Sequence, residues 1–515
     1  MELEASSWVI PTSIFLISFL LMITKFTKQT QIKNKKHKIF PPSPPAIPMI
    51  GHIDLIKQPL HRTLDKLTQK YGDIIFLKLG TRNVLAVSSP SGVEECLTKN
   101  DIIFANRPRT LAAKHLNYNS MTVGFSSYGD HWRNLRRLTT LELFSSNRLA
   151  MFTTVREQEV QLVVKQIFQD CKGKLSTVNL RERLVELSFN IMLRVISGKR
   201  YYGQHAVAQE GKEFQMLMKE FAELQGNENL IDFFPILKLI DFKGMTKKMV
   251  KMMNKMDNFL QMLVDEHERN RAITEVKDPK HMTLIDVMLD LRQTEPEFYT
   301  NETVKGVILS MLVAGAETSA TTLEWGMALL LNHPKVLNKV KVEIQTHVTH
   351  QDQLLNESDS MKLTYLHNVI TETLRLYPVA PLLIPHESAI DCKVCGYDIP
   401  QGTMLLVNLW TLQRHPDVWA DPTRFMPERF EGGACGEVYN MIPFGLGRRA
   451  CPGAVMAKRF MGHALGALIQ SFEWDRIGED EINMEDGVGL TMPKVEPLVA
   501  LCRPRQEMIQ ALSKI

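Results

Sequence analysis

The chain has 515 residues, is 44% hydrophobic and 23% charged, and carries a formal net charge of +4 and seven cysteines. Such a composition belongs to an ordinary globular protein and excludes a disordered chain, a collagen-like repeat and a disulfide-dense secreted scaffold. Residues 1–40 hold six lysines against Glu2 and Glu4, so residues 41–515 sum to zero, and a neutral body lacks the basic face that nucleic-acid binding needs.

Residues 8–24 form a run without charge, dominated by Ile, Leu, Phe, Val and Met, at the short end of the roughly 17–25 residues that cross a hydrocarbon core. A cleaved signal peptide has basic residues before the apolar run and a small-residue site after it. Here the leading charges are acidic and lysines follow, so residues 1–24 are expected to be an uncleaved membrane anchor rather than a signal or a buried helix. Positive flanks stay cytoplasmic, which places the rest of the chain in the cytosol. The scattered, odd-numbered cysteines (Cys96, Cys171, Cys392, Cys395, Cys435, Cys451, Cys502) suit that reducing compartment. Cys392 and Cys395 have the spacing of a zinc or redox pair but lack a second pair, and read as incidental. Asn301-Glu302-Thr303 and Asn356-Glu357-Ser358 fit the glycosylation pattern, and a cytosolic location predicts that both stay unmodified.

Residues 25–50 read as a basic, proline-rich linker. Pro41-Pro42-Ser43-Pro44-Pro45 favours a stiff extended strut between anchor and body. Residues 51–515 follow without a repeat or a further linker, as one large and mostly helical domain. Residues 74–79 and 84–88 are β-prone runs around Gly80-Thr81-Arg82-Asn83, a predicted hairpin. Residues 230–242, with Phe233, Phe234 and Pro235, are apolar enough either to dip into a bilayer surface or to join the core. Met249, Met252, Met253, Met256 and Leu260 follow helical spacing, as a core stripe does. Residues 302–331 are the longest predicted helix, stopped by Pro334.

The most informative stretch is Phe444-Gly445-Leu446-Gly447-Arg448-Arg449-Ala450-Cys451-Pro452-Gly453. Two glycines let the backbone fold tightly, and two arginines stand beside a single thiol. Adjacent positive charge favours thiolate, and a predicted helix over 454–468 would put its N-terminus there too. Thiolate is both nucleophile and metal ligand, and on chemistry alone both readings stand, although no His partner for a nucleophile lies nearby.

The pattern Phe444-x-x-Gly447-x-Arg449-x-Cys451-x-Gly453 resembles the haem-binding loop of cytochrome P450 monooxygenases. Glu372-Thr373-Leu374-Arg375, Phe425-Met426-Pro427-Glu428-Arg429-Phe430, Ala314-Gly315-Ala316-Glu317-Thr318 and Trp132-Arg133-Asn134-Leu135-Arg136 occur in that family's positions. The resemblance spans essentially the whole chain and is closest to plant microsomal members of the isoflavone-hydroxylase-like group. It implies a mostly α fold with small β-sheets (α+β), preceded by one transmembrane helix at the endoplasmic reticulum.

The resemblance also implies a haem b bound through the Cys451 thiolate, a ligand that favours O–O cleavage. Trp132, Arg136, His386 and Arg449 would meet the propionates, with Phe444, Ala314 and Gly315 against the macrocycle. A glycine in mid-helix costs about 1 kcal/mol against alanine, so Gly315 is expected where something large presses on the backbone. Many relatives have arginine at the position of His386, which predicts a pH-dependent contact there. Thr318 would organise water and Glu317 relay protons. Glu372, Arg375 and Arg429 would form a buried structural network. Met121, Val123, Phe125, Met311, Ala314, Val379, Leu382, Leu383 and Met492 would line an apolar substrate pocket. No Gly-rich nucleotide fingerprint is present, so electrons for O₂ would come from NADPH through a partner reductase docked near Arg133, Arg137, Arg448, Lys458 and Arg459. The expected activity is oxidation of a lipophilic plant metabolite such as a flavonoid, lignan, indole or terpenoid. A P450-fold isomerase or dehydratase, and a catalytically silent haem-binding protein, are the alternatives.

Overall fold

The computed structural model describes residues 38–171, 173–202, 208–226, 229–273, 282–348, 353–433 and 438–515. The expected anchor, residues 1–24, lies outside them. In chain order, the elements that matter for the site are α1 (Leu60–Tyr71), β1 (Ile74–Leu79), β2 (Arg82–Val87), α2 (Asp130–Leu138), α3 (Thr153–Cys171), β3 (Ser176–Asn179), α4 (Leu180–Ser197) and α5 (Met245–Ile273). They continue with α6 (Asn301–Asn332), α7 (Thr364–Leu376), β4 (His386–Glu387), β5 (Cys392–Val394), β6 (Tyr397–Ile399), β7 (Met404–Val407), α8 (Ala454–Ser471), β8 (Phe472–Asp475) and β9 (Val499–Pro504).

Helix α6 organises the molecule. The Thr300 hydroxyl accepts from the Thr303 amide at 3.3 Å and caps its start, and Pro334 opens the next helix directly after its end. Residues 319–331 are buried on every face. By composition alone the helix could cross a membrane, but a helix that is apolar all round and enclosed by protein is a core helix. It packs along α4 and crosses α7 and α8 near Gly326, where a Cβ would stand 3.6 Å from Thr373 and 3.9 Å from Leu465. The methionine stripe of α5 is core: Met249, Met252, Met256 and Leu260 are fully buried.

Strands form a four-stranded sheet of order β1-β2-β7-β4, a three-stranded sheet β3-β9-β8, and the hairpin β5-β6. β1 and β2 are antiparallel with Leu79 opposite Arg82. The second strand therefore starts two residues earlier than its β-prone run, because Arg82 and Asn83 pair with Leu79 and Lys78. The tight turn at Gly80-Thr81 is held from outside, the Thr81 amide donating to the Phe233 carbonyl at 2.9 Å.

Two segments differ from expectation in instructive ways. The proline-rich stretch does not stand free of the body. Pro41 and Pro44 are buried, the Pro42 carbonyl accepts from the Phe76 amide at 2.9 Å, Phe40 stacks near Phe76, and Lys38 pairs with Asp391. Prolines cannot donate, but their carbonyls accept, so the stretch lies along the sheet as an added edge. Residues 230–242 divide their apolar side chains. Ile231 is fully buried, whereas Ile236, Leu239 and Ile240 are 72%, 84% and 70% exposed.

Candidate functional site

The cysteine loop is closed by its own backbone. The Gly445 amide donates to Ile442 at 2.8 Å, Ala450 to Gly447 at 3.1 Å, and Cys451 to the Phe444 carbonyl at 2.8 Å. Gly447 has φ +68°, and a Cβ there would lie 2.4 Å from the Leu97 carbonyl oxygen, so both conformation and space demand glycine. Cys451 stands two residues before Gly453, the N-cap of α8. The residue is exposed, so its sulfur is open to a ligand.

Charge around the sulfur departs from the sequence expectation. Burial pushes the Cys451 thiol above its ordinary value, and the Gly453 amide and Arg136 only partly oppose this. The neighbouring arginines do not help. Arg448 turns to Asp101, Nε to Oδ2 at 3.1 Å, and Arg449 lies over the Trp132 ring, 4.3 Å from its centroid. A thiolate at this position is favoured when a metal displaces the proton.

Three buried or half-buried guanidinium groups gather beside this loop. Arg449 donates to the Ala105 and Ser126 carbonyls. Arg136 donates to the Ala450 carbonyl at 2.6 Å, and Arg107 to Gly124, Ile384 and Pro385 at 3.0, 2.6 and 2.8 Å. Every one of these acceptors is a backbone carbonyl. Burial and mutual repulsion hold Arg449 down to about 9 and Arg107 well below its ordinary value, and burial lowers Arg136 as well. Such a cluster, beside a soft sulfur donor, fits a dianionic haem: carboxylates would supply the charge that the arginines lack. Arg107 is absent from the sequence-derived set. Its signal was a cation that follows the apolar run Ile102-Ile103-Phe104-Ala105 and stands, with Arg109, on either side of Pro108.

His386 lies close to two of these arginines. It is buried, its Nδ1 bonds the Phe104 carbonyl at 2.7 Å, and burial with Arg107 and Arg449 nearby holds it well below the ordinary imidazole range. The Nδ1–H donated to the Phe104 carbonyl leaves Nε2 as the ring nitrogen available to another partner.

On α6, Ala314 is exposed while Ala316 and Ser319 on other faces are buried. The Thr318 hydroxyl donates to the Ala314 carbonyl at 2.8 Å, which leaves its lone pairs free to accept. Glu317 accepts from the Thr491 hydroxyl at 3.0 Å, and burial raises its carboxyl above the usual range. Gly315 faces the other way from its expected role. A Cβ there would meet Met192 of α4 at 2.6 Å, so the large neighbour that excludes a side chain is protein. Alanine there gains about 1 kcal/mol of helix propensity but presses on the flexible end of Met192, so Gly315→Ala should change stability by less than about 2 kcal/mol, read in the denaturation midpoint. A stable variant with altered cofactor absorbance would point Gly315 back at the cofactor.

Glu372 and Arg375 of α7 are fully buried and bidentate, with N–O distances of 2.6 and 2.8 Å. Glu372 Oε1 also accepts from Arg429 Nε at 3.2 Å and from the Met426 amide at 2.9 Å. Arg375 Nη1 donates to the Gln413 and Pro422 carbonyls at 2.8 and 2.7 Å. The trio thus stitches α7 to the segment that precedes the cysteine loop.

The expected pocket residues divide. Met121, Val123 and Phe125 lie half-buried ahead of α2, and the Met492 amide donates to the Val379 carbonyl at 2.8 Å, joining two expected walls. Met311 instead lines a small cavity with Phe144, Met192 and Met456. Leu382 packs on the core under the large sheet and Leu383, at φ +54°, on the neighbouring cluster. Ile384, one residue on, is the side chain that approaches Gly124 in the 121–125 segment. Of the expected docking cations, Arg133 is paired with Asp130 and Arg448 with Asp101. Lys458 lies over Phe444, and Arg459 stands 3.9 Å from Glu357.

Comparison with known proteins agrees with this geometry. The family model described as Cytochrome P450 matches residues 41–501. The chain is 48% identical to Cytochrome P450 81Q32 of Catharanthus roseus over 93% of its own length and 95% of the relative's. It is 44% identical to (+)-piperitol/(+)-sesamin synthase of Sesamum radiatum, over 96% of both chains. It is also 44% identical to isoflavone 2'-hydroxylase of Glycyrrhiza echinata, over 92% of this chain and 94% of that one.

Proposed function

This chain belongs to the cytochrome P450 family of haem-thiolate monooxygenases, and from that premise we propose that it oxidises a lipophilic plant metabolite, with NADPH electrons delivered by a partner reductase. The observation that carries the reading is the pairing of one open sulfur, Cys451, with guanidinium groups that lack carboxylate partners. Haem bound there supplies oxygen activation. The chain's own part is to hold it and to control what reaches it. Arg107, Arg136 and Arg449 would clamp the propionates, Trp132 bracing Arg449 from behind. Thr318 would accept a water hydrogen bond on the exposed side of α6, and Glu317, whose carboxyl burial raises above its usual range, would pass protons. Met121, Val123, Phe125, Val379 and Met492 would hold the substrate by shape.

Two of the relatives are named as an isoflavone 2'-hydroxylase and a (+)-piperitol/(+)-sesamin synthase, and a ring-bearing lipophilic substrate suits apolar walls. Reduced protein under CO should show the thiolate-haem Soret band. Microsomes holding this chain and a reductase should convert one member of a panel of isoflavones, lignans, indoles and terpenoids only when NADPH and O₂ are both present. Product formed without O₂ or reductase would instead establish the isomerase or dehydratase reading, which the Thr318 hydroxyl disfavours.

We also propose that the protein is anchored in the endoplasmic reticulum by residues 1–24 with its body on the cytosolic side. Exposed Ile236, Leu239 and Ile240 support contact of the body with lipid. Met49, 76% exposed, lies on the same edge, where the Gly80 amide donates to Ile50 and the Thr81 amide to Phe233. For protein lacking residues 1–24, Ile236→Glu with Leu239→Glu should lower the vesicle-bound fraction about tenfold or more in sedimentation, since each buried aliphatic side chain contributes about 1.5–3 kcal/mol. An unchanged bound fraction would remove this segment from the membrane contact.

A further inference from the structure

The C-terminal loop between α8 and β9 is fastened to α6 at successive heights. The Trp325 indole donates to the Met492 carbonyl at 2.8 Å. The Leu498 amide donates to Glu324 at 2.8 Å, and Arg181 of α4 bridges Glu324 and the Lys494 carbonyl at 2.9 and 2.7 Å. The far end of the loop is pinned by Asp486, which pairs with His61 at 2.7 Å and Arg62 at 2.5 Å on α1. Those bonds hold the loop without involving Glu317. One side chain does reach it: Thr491 donates its hydroxyl to Glu317 Oε1 at 3.0 Å. The next residue, Met492, is tied to the pocket wall at Val379.

We propose that Thr491 is a positioning residue for proton delivery. Its hydroxyl holds the Glu317 carboxyl on the loop side of α6, fixing the position from which that group takes up and passes a proton. Only a proton moves, forming an O–H bond at Glu317 on uptake and breaking it on delivery. The hydroxyl proton stays on Thr491, and the transferred proton arrives at Glu317 from solvent. The inference rests on the reading of Glu317 as proton relay.

The electrostatic setting supports it. Burial raises the Glu317 carboxyl, whereas the Thr491 hydroxyl and the charge of Arg181 pull it down. The charged groups packed around this contact are Arg181 from α4, Glu324 from α6 itself, and Lys494 from the loop, with Arg181 and Glu324 paired to each other. Removing one hydrogen bond to a carboxylate in such a setting leaves burial less opposed.

The test is infrared titration of the holoenzyme, following the carbonyl stretch of protonated Glu317, assigned by its loss in Glu317→Gln. Thr491→Val, which keeps the shape and deletes the donor, should move that titration up by about one pH unit, and Thr491→Ser should restore it. The same pair should alter kcat and the partition of electrons between product and peroxide, with KM nearly unchanged. A Glu317 titration that is the same in wild type and Thr491→Val would overturn the proposal. So would a serine variant that behaves like valine while the Soret band of both is intact. Failure of the underlying reading looks different: the infrared band moves as expected, but Glu317→Gln leaves coupling of electrons to product at the wild-type level.

Discussion

Cys451→Ala protein should fold, lose the thiolate-haem Soret band under CO, and show no NADPH-dependent turnover. The fold does not rest on the sulfur. The loop is closed by the backbone bonds of Gly445, Ala450 and Cys451, by Gly447 in its left-handed turn, and by Arg136 on the Ala450 carbonyl. Alanine keeps all of these. What alanine removes is the soft donor, and with it the electronic push that distinguishes this class of haem site from one bound by imidazole. The thiol of the protein alone is pushed up by burial, so thiolate and metal form together, and deleting one eliminates the other. Absorption spectra of the reduced, CO-treated variant beside its circular dichroism separate the two outcomes. A retained band of wild-type position, with turnover, would mean that another residue binds the iron.

Glu372→Gln should be close to unfolded. An amide in place of this carboxylate leaves Arg375, fully buried, and Arg429, 11% exposed in its side chain, without the charge that balances them. Breaking one member of a buried pair costs about 3–5 kcal/mol, a large part of the roughly 5–15 kcal/mol that a folded domain has in hand. It would also weaken the bond from the Met426 amide that orders the chain ahead of the cysteine loop. The protein supplies its own control. Asp359 and Lys362 have the same three-residue spacing at 2.9 Å but are 36% and 66% exposed. Asp359→Asn should therefore change stability by less than about 1 kcal/mol. Denaturant midpoints of the two variants measure the contrast, and equal midpoints would show that the buried trio carries no special weight.

The cysteine loop, the Glu-x-x-Arg pair and the long apolar helix were legible because each depends on spacing within a few residues. A helix brings positions three and four apart onto one face wherever it stands, so Glu372 and Arg375 meet as expected, and Thr318 bonds back to Ala314. The methionine stripe of α5 was legible for the same reason. Spacing does not say which way a face looks once the helix is packed. Gly315 was expected against the cofactor and lies against Met192 of α4. Met311 lines a small cavity with Met192, and Leu382 and Leu383, half-buried, pack against two separate core clusters, contacts that spacing does not announce. Arg448 and Arg449 were expected to act on the neighbouring thiol, but their long side chains find Asp101 and the Trp132 ring.

By itself, then, the sequence determined the chemistry available to this protein: a single thiol in a tight glycine loop, an acid and hydroxyl on a mid-chain helix, and a neutral body with a basic, apolar leader. Those follow from residue type and local spacing, which no packing arrangement can change. The tertiary structure alone decided which charges meet. Arg107 comes to Ile384 across 277 residues, Thr491 to Glu317 across 174, and burial, with Arg107 and Arg449 nearby, holds the His386 imidazole well below its ordinary range. The physical reason is that burial and electrostatic coupling are properties of neighbours in space, and those neighbours exist only after α4, α6 and the C-terminal loop have packed together.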